Sequence, residues 1–508
     1  MKANILLTIT LLMLFILPSA MARAPFLEQE YAPGTLIVKL DGSRSLEEAE
    51  TMLKSADRSI ISAEYLFGSS ENLNSKAKRL DMDRFLIIEV DETIDHIKLA
   101  NKLFKLRSVE NVELNYIYDP LSIPDDEYFP ANQWGLHNYG QEIFPGSGVY
   151  GTPDIDIDAP EAWNIETGSS DIIIASLDSG VNYNHEDLQN KMWVNIDEIP
   201  DNGIDDDNNS FVDDIMGWDT YMEDNDPIDE NGHGTRVAGA AGAETNNGIG
   251  VASLCQGCTI MPIRVGGMTY YTSNIVQGVY YAADNGANVI SMSFGRTDSD
   301  CISTSFDTAI QYAHDMGIVF AGAAGNDEGN TAYMHPACRP EVIGVAGYNH
   351  NGGLSMSRHG EWIDVAAPGT FIISTTMSGG YDYAGGTSMA TPFVSGLAGL
   401  LLSSFEDITP SQIREIMMLT AEELYGDEPI NPDGGRINAH DALSVCIVED
   451  GIFLSDVCIA DNAPAMCIEQ KIVSNCQECG CPENRLCEPD GRCIKEGKPR
   501  LATRWVPI

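Results

Sequence analysis

The run Asp171-Ile172-Ile173-Ile174-Ala175-Ser176-Leu177-Asp178-Ser179-Gly180 decides the fold class of this 508-residue chain. Its unbroken apolar block is the pattern of a strand buried on both faces, and such strands belong to parallel sheets covered by helices. Open α/β sheets carry their sites at the carboxyl ends of strands, which is where this run delivers Asp178. Further on, His233 stands in Asn231-Gly232-His233-Gly234-Thr235, and the small apolar residues from Arg236 to Gly242 predict a helix packed deep in a core. A third segment, Gly386-Thr387-Ser388-Met389-Ala390-Thr391-Pro392, holds a serine just before a proline. Proline is tolerated in the first turn of a helix, so Ser388 is expected at or near a helix N-terminus. Free amides and the helix dipole favour a developing oxyanion there.

Taken singly, these residues read as a cap, a turn histidine and a helix N-cap. Together they supply what a weak serine nucleophile needs: an imidazole to take its proton and a carboxylate to orient and charge-stabilise that imidazole. With the order Asp, His, Ser and these local signatures, the chain resembles the subtilisin-like serine proteases from roughly residue 126 to residue 443. The resemblance implies an endopeptidase acting on protein and peptide substrates through an acyl-enzyme. It implies Asn326, at the end of Val319-Phe320-Ala321-Gly322-Ala323-Ala324-Gly325-Asn326, as side-chain oxyanion donor beside the Ser388 amide. It also implies that Ser293-Phe294-Gly295 pairs with substrate as an added strand and walls the P1 pocket, with Ala323, Ala324 and Gly325 as the opposite wall. A competing reading is a catalytically silent protease fold kept for adhesion or binding.

Lys2, the apolar stretch from Ile5 to Pro18 and then Ala20-Met21-Ala22 predict a secretory signal peptide over residues 1–22, hence a secreted protein. Nothing later in the sequence is long and apolar enough to cross a membrane. Residues 23–121 alternate strand-like and helical segments, as in a small ferredoxin-like α+β domain. By the resemblance this is a prodomain, chaperone and inhibitor of its own protease, removed autocatalytically with Leu121 as the favoured P1 residue. Asp327 and Glu328, beside Asn326, are the features that would instead recruit Lys or Arg at P1. The fold class is therefore α/β: a subtilisin-like parallel sheet flanked by helices over residues 122–445, followed by a disulfide-rich module over residues 446–508. A monomer is expected.

The formal net charge is −47. Residues 1–120 hold 14 basic against 18 acidic residues, so nearly all of the excess lies downstream. Such a surface repels nucleic acid and anionic lipid, which excludes both as partners. Halophilic solvation and calcium ligation both account for acidity of this kind. For calcium, Asp205, Asp207 and Asn209 alternate along one loop, with the Phe211 carbonyl and Asp213 or Asp214 to complete a shell of oxygens. A second calcium site is implied by the resemblance alone: Asp126, Asp187, Asn247 and the carbonyls of Thr245, Ile249 and Val251. Eight of the twelve cysteines crowd the last residues, from Cys446 to Cys493. Their dense, uneven spacing points to disulfides, with zinc through Cys476 and Cys479 as the weaker competitor. Cys255 and Cys258 read as structural, not as a redox pair.

Overall fold

The computed structural model describes residues 31–67, 73, 75–91, 94–116, 123–426 and 430–448, together with short strands between 451 and 495. The expected signal peptide, the 121/122 junction and nearly all of the cysteine-rich module lie outside the described residues. Two compact units are present, one built around residues 31–116 and the other from residue 123 onward.

In the first unit, β1 (Tyr31–Leu40), α1 (Leu46–Ala56), β2 (Ile60–Tyr65), β3 (Phe85–Val90), α2 (His96–Phe104) and β4 (Val109–Tyr116) follow in sequence. The strands form an antiparallel sheet in the order β2-β3-β1-β4, the ferredoxin-like arrangement. Alternation sets its faces, since Leu36, Val38 and Leu40 of β1 are buried with Leu53 of α1 and Leu103 of α2 between them and solvent. Ser45 starts α1 with a full capping box to Glu48. Strand β2 has no counterpart in the sequence reading.

The second unit is built on seven parallel strands in the order β13-β12-β10-β8-β5-β7-β6. These are β5 (Ile173–Asp178), β6 (Trp218–Asp219), β7 (Thr259–Arg264), β8 (Val289–Met292), β10 (Val319–Ala323), β12 (Val342–Tyr348) and β13 (Val365–Pro368). Helices α3 (His233–Gly242), α4 (Thr272–Asp284), α5 (Thr304–Asp315) and α6 (Thr387–Ser404) cover it. The chain leaves β5 to one side, through β6 and β7, and then crosses to β8 on the other. This switch opens a crevice at the carboxyl ends of β5 and β8. Two antiparallel pairs, β9 (Arg296–Asp298) with β11 (Tyr333–His335) and β14 (Ile372–Thr375) with β15 (Tyr381–Ala384), add ribbons outside the main sheet. Among the described residues no helix is long and apolar enough to cross a membrane.

Candidate active site

Asp178 ends β5 and His233 begins α3, and glycine is what lets the two meet. A Cβ on Gly234 would lie 2.1 Å from the Gly180 carbonyl oxygen and 3.0 Å from Asp178 Cβ, so any larger residue would push α3 off the sheet. At this close approach His233 Nδ1 lies 2.7 Å from Asp178 Oδ1. Asp178 is 1% exposed and the His233 side chain 36%. With Nδ1–H donating to the carboxylate, Nε2 of the neutral ring is left as an acceptor. The Asp178 charge, partly opposed by burial, holds the His233 imidazole above its ordinary pKa.

The loop before α3 is organised by Asp229, which the sequence reading missed. Its buried carboxylate accepts from Gly232 N–H at 2.8 Å, Thr235 N–H at 2.9 Å, the Thr235 hydroxyl at 2.6 Å and the Ser179 hydroxyl at 2.9 Å. An anion here offsets the helix dipole and satisfies orphan amides. The available signal was an acidic residue four positions before the histidine.

Ser388 is the second residue of α6, as expected for a helix N-terminus, but Pro392 sits a turn deeper than the first-turn placement predicted. The consequence is local. Lacking an N–H, Pro392 leaves the Ser388 carbonyl without its helical partner. The Ser293 hydroxyl takes that place at 2.9 Å, while Ser388 Oγ donates to the Ser293 carbonyl at 3.0 Å. The nucleophile candidate is therefore tied to the segment after β8, and its proton is directed to the Ser293 carbonyl, not to His233.

Asn326 follows β10. Its Oδ1 accepts from Thr387 N–H at 2.8 Å and from the Thr387 hydroxyl at 2.9 Å, and the same hydroxyl accepts from Gly325 N–H at 3.0 Å. With its acceptor end pinned, Asn326 has the NH2 group left as its free donor. Gly386, at φ 119°, passes so close that a Cβ there would lie 2.9 Å from that nitrogen.

The expected wall residues follow two neighbouring parallel strands, on either side of the expected slot: Ser293, Phe294 and Gly295 after β8, and Ala323, Ala324 and Gly325 at the end of β10. The β9–β11 ribbon lies against Gly295, where a Cβ would come within 3.0 Å of the His335 carbonyl oxygen, and the Cys301–Cys338 disulfide ties the chain beyond its two strands. Met334, from the middle of β11, fills the base. A Cβ on Gly295 would lie 2.6 Å from Met334 Cγ, and one on Gly325 would lie 2.3 Å from its Cε. Beneath, the buried Arg358 donates to Thr297 Oγ1 at 2.6 Å and pairs with Asp327, while Glu328 accepts from Met356 N–H at 2.8 Å. Both carboxylates beside Asn326 thus have partners. No sequence signal marked Met334 or Arg358.

The structure gathers the expected calcium residues unevenly. Asp126 and Asp187 are buried around the loop of residues 245–251: Asn246 N–H donates to Asp126, and Asn247 Nδ2 and Val251 N–H donate to Asp187. Asp126 Oδ1 is buried with no hydrogen-bond partner among the described residues. Burial, with Asp126 nearby, pushes the Asp187 carboxyl up to about 6, and burial likewise raises Asp126. An orphaned carboxylate oxygen beside a second buried carboxylate fits a cation. In the acidic loop the carboxylates within 4.8 Å of one another are Glu198, Asp205 and Asp207. Glu198 was not anticipated. Beside them Asn209 donates to Asp207 and Asp214, the Phe211 ring packs on Trp218 and Tyr281, and Asp214 accepts from Tyr281. Cys255 and Cys258 are joined to each other in the core.

An acid-supported histidine, a serine at a helix N-terminus and a walled slot on a parallel sheet define the class: a hydrolytic α/β enzyme of serine type. Residues 169–439 match the subtilase family. The thermophilic serine proteinase of Bacillus sp. strain AK1 is 32% identical over 419 residues, covering 82% of this chain and 88% of that protein. Thermitase of Thermoactinomyces vulgaris is 36% identical over 324 residues, or 63% of this chain and 99% of its own length. Among solved structures, a protease of Pseudoalteromonas arctica PAMC 21717 shares 29% identity at a TM-score of 0.52, covering 63% of this chain and 98% of that one. The chain belongs to the subtilase family and is a subtilisin-like serine endopeptidase.

Proposed function

We propose that this endopeptidase is made as a secreted preproprotein and works through Asp178, His233 and Ser388. The observation that carries the reading is the 2.7 Å bond between His233 Nδ1 and the buried Asp178, which leaves Nε2 as base. On binding substrate, Ser388 Oγ leaves the Ser293 carbonyl, gives its proton to Nε2 and attacks the scissile carbonyl. His233 then protonates the leaving amine, and water releases the acyl-enzyme by the reverse sequence. The Asn326 amide and the Ser388 N–H stabilise the oxyanion, and the substrate backbone pairs along Ser293–Gly295.

Residues 23–121 serve as prodomain, a role their ferredoxin-like sheet supports, and the cut after Leu121 releases residues 122–508. Residues 446–508 form an accessory disulfide module. Calcium is held by Asp126, Asp187 and Asn247 with the carbonyls of Thr245, Ile249 and Val251, and a second ion by Asp205, Asp207, Asn209, the Phe211 carbonyl and Asp213 or Asp214, with Glu198 added. Its contribution is structural, since an ion that binds only the folded state stabilises it by mass action.

A fluorophosphonate probe tests the central claim. It should label Ser388, and Ser388→Ala should lose labelling and proteolysis and persist as uncleaved precursor when expressed alone. An unlabelled Ser388 would favour the silent binding protein. For the metal, chelation should lower the melting temperature of the mature enzyme; a melting temperature indifferent to chelator and to added calcium removes both sites.

A further inference from the structure

Tyr270 is joined to the acid–base pair by geometry that no sequence motif marks. It lies between β7 and α4, and its hydroxyl donates to Asp178 Oδ1 at 2.9 Å. The same oxygen accepts His233 Nδ1–H at 2.7 Å and Ser179 N–H at 2.7 Å. Asp178 Oδ2, by contrast, is buried with no hydrogen-bond partner among the described residues. The other face of the contact is the substrate wall: the Tyr270 ring packs edge-on against Phe294 with centroids 5.2 Å apart.

We propose that Tyr270 is a positioning residue of the triad, whose hydroxyl draws part of the Asp178 charge away from His233 and whose ring makes that bond sensitive to the Phe294 wall. The proposal rests on the reading of Asp178 and His233 given above. In a water-poor site a carboxylate divides its charge among the donors it holds, so each donor weakens its pull on an imidazolium. Because all three donors converge on Oδ1 and Oδ2 has none, no spare group is at hand to replace Tyr270. The remaining charged neighbours are few. Asp229 faces both His233 and Tyr270 and adds to the pull on the imidazole, whereas Arg236 opposes it. Burial and the Asp178 charge push the Tyr270 hydroxyl far above its ordinary pKa, so it remains a donor wherever the enzyme works.

The test uses mature enzyme whose competent sites are counted with a fluorophosphonate. Tyr270→Phe keeps the ring and removes the hydroxyl. The acid limb of kcat/KM against pH should move up by about half a pH unit, because more of the Asp178 charge then acts on His233. The kcat should fall several-fold with KM nearly unchanged. Phe294→Leu, which keeps the hydroxyl but removes the ring edge, should shift the limb in the same direction by less. In an Asp178→Asn background, Tyr270→Phe should move nothing. An acid limb unmoved by Tyr270→Phe, or a shift that survives in Asp178→Asn, overturns the proposal. Absence of labelling in the unmodified enzyme overturns instead the functional reading beneath it.

Discussion

The two halves of the site are built differently. On the acid–base half, Asp178 is buried, its bond to His233 Nδ1 is in place and the α3 terminus is locked by Asp229. On the nucleophile half, Ser388 Oγ is bonded to the Ser293 carbonyl, and Asn326 is exposed with only its acceptor end held. In the proposed mechanism the base is therefore ready before substrate arrives, whereas the nucleophile must break one bond to reach it. Buried charge explains the contrast. A carboxylate in a core is costly unless its partners are fixed, while a hydroxyl at a helix terminus can exchange one acceptor for another at little cost.

The largest effect should come from disabling the preassembled half. Asp178→Asn should lower kcat by ~10⁴, since the amide stabilises the wrong tautomer of His233. The sign of the pH effect follows from the charge that raises His233: catalysis needs the neutral ring, so activity is lost as pH falls through the raised pKa, and removing the charge should move that acid limb down. A limb that stays put in Asp178→Asn would detach Asp178 from the base. On the other half, Asn326→Leu should slow turnover by ~10²–10³ with substrate affinity kept, the cost of one oxyanion donor. Unchanged turnover would remove Asn326 from the site.

Smaller again, Thr387→Val removes the hydroxyl that bridges Gly325 N–H and Asn326 Oδ1 without touching either donor to the oxyanion. A loss of roughly 30-fold in kcat is expected, less than deleting Asn326 itself. If Thr387→Val matched Asn326→Leu, the threonine would hold the whole β10 end and not the amide alone. The mildest change is Met334→Ala, which empties the base of the slot. It should raise kcat/KM for Phe over Ala at P1 by roughly 10-fold and leave the acid limb unmoved. Peptides differing only at P1 give that ratio directly, and an unaltered ratio would show that Met334 does not bound the pocket.

Short-range pattern carried far in this protein. The apolar run 171–177 marked a buried strand, the residues after His233 marked a packed helix, and both were found. Pro392 marked the right terminus through an imperfect argument, because it occupies the second turn and acts by freeing the Ser388 carbonyl. Alternating acidic residues located a cation-prone loop, in which Asp205 and Asp207 lie close together, but gave no sign of Glu198, which joins them from outside the run.

What the sequence by itself determined was the α/β class, the buried strand and packed helix that carry Asp178 and His233, and the proposed reacting groups, for those are written in local periodicity, glycines and chain order. Only the tertiary structure decided the groups that act through others. Tyr270 on Asp178, Thr387 on Asn326, Ser293 on Ser388, and Arg358 on the Ala332 carbonyl are contacts between residues 26 to 95 positions apart, formed where separate segments of the chain come together. Such pairings depend on which strand ends the sheet order brings side by side, and no local pattern records that order.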